Sequence, residues 1–163
     1  MESELKTVEA EALMASLLEL VEQGETVPLV ISGNSMNPFL VHHRDTVYLS
    51  KVENPLKKGD MILYRRRSGA YVLHRICKVR QDSFDLVGDA QISIETGIRP
   101  DQVLALVTAV RRKGTLLRED SFCWWFFRRV WLCLIPLRQR ILNLYGALRR
   151  KRETLPYIME KNT

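Results

Sequence analysis

The sequence predicts a mainly β protein: an antiparallel β-rich domain with a helix before it and a helical tail after it. Two observations carry this reading. The hydrophobic period is helical near the start, becomes strand-like in the middle, and turns helical again past Pro136. The middle region holds six short strand-like runs with no helical run between them, which favours antiparallel pairing over strand–helix–strand units. The chain has 163 residues, 46% hydrophobic and 27% charged, which is room for one domain of ordinary globular composition. The expected division is an acidic amphipathic helix over 1–25, a β-rich domain over 26–114 and a basic, aromatic-rich helical tail over 115–163.

The first element is an amphipathic helix over Ala10–Val21. Ala10, Leu13, Met14, Leu17 and Val21 repeat at helical spacing, Glu11, Glu19 and Glu22 lie off that stripe, and Gly24 supplies a stop. The strand-like runs are Thr26–Ile31, Thr46–Leu49, Met61–Arg66, Tyr71–Val79, Ser83–Val87 and Val103–Val110. Turn signals separate them, among them Ser32-Gly33-Asn34, Asn54-Pro55, Lys58-Gly59-Asp60, Ser68-Gly69 and Gly88-Asp89. In the fourth run Tyr71, Leu73 and Arg75 fall on one face and Val72, His74 and Ile76 on the other.

The tail is dense in aromatics from Phe122 to Trp131, with Arg128 and Arg129 among them. Beyond Pro136, Leu137, Ile141, Leu144, Tyr145 and Leu148 keep helical spacing. Trp, Phe and Leu opposite Arg is the composition of a helix lying in a membrane interface, and three Trp with three Phe are more apolar area than a small domain usually leaves bare. The competing reading is a helix packed on the β domain or a dimer contact. Charge follows the same division. Met1 to Glu25 holds seven Glu against one Lys, and Arg111 to Arg152 holds twelve Lys or Arg against two acids. A basic end suggests a partner bearing phosphate. The Trp and Phe density fits an anionic lipid surface better than nucleic acid, and too few residues precede the β domain for a helix-turn-helix.

The start is Glu-rich, unlike a secretory signal, and no run reaches the ~18 apolar residues of a spanning helix. The expected location is cytoplasmic, peripheral at the inner membrane face through the tail. Cys77, Cys123 and Cys133 are odd in number and form no metal-binding spacing, so neither a disulfide framework nor a zinc site is expected. No cofactor or metal is expected.

Two segments carry chemistry. Ser35 follows an apolar strand inside Ser32-Gly33-Asn34-Ser35-Met36-Asn37-Pro38, where Gly33 and Asn34 tolerate a tight turn. A serine on such a turn points its hydroxyl into a cleft while backbone N–H groups converge, as acyl transfer requires. Taken alone, the segment is also an ordinary turn. A serine nucleophile needs a base. His42 and His43 belong to a polar surface loop, whereas His74 lies in a half-buried strand, where a structural histidine is the simpler reading.

The order of segments raises both. Gly33-Asn34-Ser35-Met36-Asn37-Pro38, then Arg44-Asp45-Thr-Val-Tyr-Leu, Lys58-Gly59-Asp60-Met-Ile-Leu-Tyr, Val-Leu-His74-Arg75-Ile and Leu-Val-Gly88-Asp89 together resemble the signal peptidase and SOS-repressor protease superfamily. The match runs from Val30 to about Val107. Bacterial-type members carry Lys where His74 stands; His74 resembles the Ser-His branch of archaeal and endoplasmic-reticulum signal peptidases. The resemblance implies the antiparallel β-rich catalytic fold of that superfamily, a serine endopeptidase acting on a peptide or preprotein, Ser35 as nucleophile and His74 as general base. It offers two acids. Asp89 matches the motif acid, and Glu95 falls where the triad-forming acid would stand, so Glu95 is the expected orienter of His74 and Asp89 the loop scaffold. Around Ser35, the expected substrate-binding set is Gly33, Asn34, Met36 and Pro38, with Met36 and Pro38 shaping the cleft floor. The Ser35 N–H is the expected oxyanion donor; Gly33 stands where some members carry a second serine. The alternative is a self-cleaving or catalytically silent regulatory domain of the repressor type. For His74, a carboxylate and burial act in opposite directions, and the expected titration stays within about one unit of ~6.5.

Overall fold

The computed structural model describes residues 2–153, with side chains described over 11–147. Helix α1 (Glu2–Glu22) ends where Gly24 adopts φ 91°. There the Glu25 N–H reaches the Leu20 carbonyl and the Gly24 N–H reaches Val21, a cap that a residue with a Cβ would strain. Val21 is buried, with Met14, Leu17 and Leu18 half-buried beside it. Leu13, expected on this stripe, is exposed, and Leu18 takes its place.

Eight strands follow: β1 (Val27–Val30), β2 (Thr46–Ser50), β3 (Met61–Arg65), β4 (Tyr71–Val79), β5 (Phe84–Val87), β6 (Glu95–Ile98), β7 (Val103–Arg112) and β8 (Thr115–Arg118). All pair antiparallel in the order β1-β2-β7-β3-β4-β5-β6, and β8 pairs with β7. The six expected strands are present, with end differences of one or two residues. Two were not anticipated. β6 reads Glu-Thr-Gly-Ile and has too little apolar character to signal a strand. β8 closes a hairpin through Lys113 and Gly114, both at positive φ, as a tight two-residue turn demands.

The central strand β3 is buried from Met61 through Tyr64 because both sheet faces are covered. Met61 and Leu63 join the larger core, which also holds Val21 of α1 and Met36, Phe39 and Leu40 of the loop after β1. Ile62 and Tyr64 point the other way, into a smaller core with Ile76, Leu86 and Ile98.

The tail closes the larger core. Ser121 caps α2 (Phe122–Phe126) by accepting from the Trp124 N–H at 3.3 Å. A π-helical turn (Phe127–Trp131) and a 3-10 turn (Ile135–Leu137) lead into α3 (Arg138–Glu153). Trp124, Phe127 and Trp131 are buried, and Phe39 packs edge-on against Trp124 with ring centroids 5.9 Å apart. Of the aromatics expected at a lipid surface, these three instead pack on the sheet; Phe122 at 76% exposure and Trp125 at 48% remain outside. One core therefore draws on the N-terminal helix, the sheet and the tail together. Among the described residues, no helix is long and apolar enough to cross a membrane.

Candidate active site

The loop after β1 is pinned before it reaches Ser35. The Ile31 N–H donates to the Asp45 carbonyl at 2.9 Å, and the His43 N–H donates back to Ile31 at 2.8 Å. Buried Asp45 accepts from the Val41 and Lys113 N–H groups and from the Arg44 guanidinium, so the Arg44-Asp45 pair of the sequence pattern serves as a loop brace. Burial pushes the Asp45 carboxyl up, but these hydrogen bonds outweigh it and leave it below the ordinary range. Gly33 sits at φ 96° and donates its N–H to His42 Nδ1 at 2.8 Å. The turn is tightened by Asn37 Nδ2 donating to Asn34 Oδ1 at 3.2 Å and by the Leu40 N–H reaching the Met36 carbonyl. Among the described residues, neither the hydroxyl nor the N–H of Ser35 has a protein hydrogen-bond partner.

The segment after β5 docks on this turn. The Ala90 N–H donates to the Ser35 carbonyl at 2.8 Å. Gly88 fits beneath because it lacks a side chain; a Cβ there would lie 2.5 Å from the Ser35 carbonyl oxygen. Asp89 turns its carboxylate into the interior, where Arg75 grips it twice, at 2.9 and 3.1 Å, with both side chains fully buried. Arg75 also donates to the Gly59 carbonyl. The tail completes the support. Trp131 Nε1 donates to the Asp89 carbonyl at 2.8 Å, and buried Arg138 donates to the Gly88 carbonyl at 2.9 Å and to that of Gln91 at 3.1 Å.

His74 stands on β4 opposite Ile62 of β3 and is 2% exposed. Its Nδ1 lies 3.2 Å from the Tyr64 hydroxyl, which donates to Glu95 Oε2 at 2.6 Å. Arg66 holds Glu95 from the far side, with Nη2 to Oε2 at 2.6 Å and Nε to Oε1 at 3.0 Å. Glu95 thus reaches the histidine through Tyr64, and Asp89 is engaged by Arg75. Burial raises the Glu95 carboxyl, but hydrogen bonds from Arg66 and Tyr64 prevail and keep it below its ordinary range. Burial lowers His74, the Arg66 charge lowers it further, and Glu95 and Asp89 offset only part, leaving it at about 4. The expected value near ~6.5 assumed a cancellation that does not occur, because the carboxylates are each paired with an arginine.

Ser35 and His74 line one cavity of about 240 Å³, with Ile31, Met36, Leu73 and Gln91 around them. A second cavity of about 300 Å³ shares Arg66, His74 and Gln91 and extends along Ser93, Ile94 and Glu95. Of the expected substrate-binding set, Gly33 and Met36 line the first cavity. Asn34 and Pro38 shape the turn instead, Asn34 through Asn37 and Pro38 through its carbonyl, which accepts from Arg112. Among the described residues, no three of His, Cys, Asp and Glu converge on a point that would hold a metal ion. Tyr64, Arg66 and Gln91 lie outside the expected set of site residues, yet Tyr64 contacts His74, and Arg66 and Gln91 line both cavities. The Ser68-Gly69 turn held a signal for the first: a hairpin centred there pairs Tyr64 with Val72 and Ile62 with His74, which puts Tyr64 and His74 on one face. No known family model matches the chain, and no curated protein matches it either.

Proposed function

We propose that this protein is a serine endopeptidase of the signal-peptidase type, cleaving a peptide bond through an acyl-enzyme. The observation that carries the reading is the shared cavity: a serine hydroxyl with no hydrogen-bond partner among the described residues and a buried, neutral imidazole open onto the same space. Ser35 Oγ attacks the scissile carbonyl and its proton passes to His74. The Ser35 N–H stabilises the developing oxyanion. His74 then returns the proton to the departing amine, leaving an acyl-serine, and water, deprotonated by His74, releases the acid. No hydrogen bond joins Ser35 to His74 among the described residues; catalytic hydrogen bonds in unliganded enzymes are often long and tighten on substrate binding.

The ordered segments add support, since residues from each join the contacts that hold the Ser35 turn and β4. Arg44-Asp45 braces the serine turn, Gly59 and Asp89 hold Arg75 next to His74, and Gly88 admits the Ser35 carbonyl. The reading includes a peripheral site at an anionic membrane on its cytoplasmic side, supported by exposed Phe122, Trp125, Leu137, Leu144 and Tyr145 beside exposed Arg129 and Arg140. The direct test is turnover of a mixed peptide pool, read as new chain ends by mass spectrometry. Cleavage should fall at least ~10³-fold in Ser35→Ala with the fold intact. An inert wild-type protein would instead favour a silent regulatory domain.

A further inference from the structure

The proposed reaction needs one ring nitrogen of His74 free to take a proton, and the hydrogen bonds around Tyr64 select which one. A tyrosine hydroxyl has a single hydrogen. Here it points to Glu95 Oε2 at 2.6 Å, the short distance of a hydroxyl donating to a carboxylate. Arg66 holds the same carboxylate with three contacts between 2.6 and 3.0 Å, so Glu95 is ionised and has no proton to offer in return. At its other contact, 3.2 Å from His74 Nδ1, the Tyr64 oxygen has only a lone pair left. The partner across that contact must therefore be the donor, and Nδ1 carries the proton.

We propose that Tyr64 is the positioning residue of His74: its hydroxyl, oriented by Glu95 and Arg66, fixes the Nδ1–H tautomer and leaves Nε2 as the basic nitrogen. This rests on the serine-hydrolase reading for its consequence, but the tautomer follows from the hydrogen bonds alone. In a direct Ser-His-acid device the carboxylate itself accepts from the imidazole. Here a neutral hydroxyl stands between, so the acid orients the ring without placing its charge against it. Among the described residues, Nδ1 has no other hydrogen-bond partner. Tyr64 is fully buried in the smaller core, and its ring meets His74 at 6.0 Å between centroids. The hydroxyl is thus held by packing as well as by hydrogen bonds.

The experiment reads the His74 tautomer in ¹⁵N-labelled full-length protein at pH 7, from the imidazole nitrogen shifts, assigned by their loss in His74→Gln. The wild-type protein should show a protonated Nδ1 and an unprotonated Nε2. Tyr64→Phe keeps the buried ring and removes the acceptor, so the Nε2–H form should gain population. Glu95→Ala frees the tyrosine hydrogen to point at Nδ1, and the tautomer should again move toward Nε2–H with Tyr64 in place. In parallel, both variants should lose about tenfold in the rate of Ser35 labelling by a fluorophosphonate, as one buried hydrogen bond to a working group implies, with the half-saturating probe concentration unchanged. Wild-type His74 protonated on Nε2, or a tautomer indifferent to both substitutions, overturns the proposal. A wild-type protein that never labels at Ser35 removes the hydrolase reading instead, and the tautomer still decides the role of Tyr64.

Discussion

At the scale of single residues, the site is governed by which charges are already paired. The three acids of the ordered segments and Glu95 are each paired with an arginine: Asp45 with Arg44, Asp60 with Arg128, Asp89 with Arg75 and Glu95 with Arg66. His74 is left to burial and to the nearby Arg66 charge, which together hold it neutral down to about 4. An unfolded histidine titrates near ~6.5, so as pH falls the unfolded chain binds this proton first. The stability that His74 contributes is complete above about 6.5 and is lost progressively toward 4, by roughly 3 kcal/mol in all. Denaturant unfolding at several pH values should therefore show the gap between wild type and His74→Gln shifting by that amount between pH 7 and 4. A gap independent of pH would mean that the native imidazole titrates as it does in solution. The residue scale also shows where sequence reasoning ends. Ser35 and His74 stand out as candidates because each sits in a short, ordered pattern, and both line one cavity. Tyr64 does not, because its contact with His74 depends on the register of a hairpin and its hydrogen bond reaches Glu95, 31 positions away.

At the scale of elements, the sheet and the first helix were legible and the tail was not. Period-two runs between turn residues gave six strands within one or two residues of their observed ends, since each run had an apolar face to bury. The tail has aromatics on all sides of its helical segment, and composition alone cannot say which side meets the sheet. Trp124, Phe127 and Trp131 turn inward because Phe39 and Arg138 meet them there. The tail is thus a wall of the core and a support for the Gly88–Gln91 segment. Deleting it from Phe122 onward should leave a chain that does not fold cooperatively. Trp124→Ala, a milder lesion, should cost about 3–5 kcal/mol, measured by urea unfolding. A truncated protein with the full cooperative transition of the intact chain would show that the sheet and α1 suffice.

At the scale of the whole molecule, one continuous framework joins the N-terminal helix, the sheet and the tail around the Ser35 turn. The two walls of the cavity come from distant parts of the chain: the turn after β1 on one side, β4 on the other. Neither segment holds its position alone. The turn leans on Ala90 and Gly88, these lean on Trp131 and Arg138, and β4 leans on β3 and β5. Such a framework holds Ser35 and His74 with little freedom, as the proposed acyl transfer requires. The exposed residues described in the tail supply the basic and aromatic surface proposed to meet lipid, and binding to anionic vesicles should fade as salt is added. Under the proposed mechanism, Ser35 is a nucleophile activated by His74. The most direct measurement of this is the intact mass of the full-length protein after exposure to a fluorophosphonate, with peptide mapping of the adduct. A single adduct should form on Ser35, lost in Ser35→Ala and strongly slowed in His74→Ala; an unmodified protein, or an adduct that persists in Ser35→Ala, would rule the mechanism out.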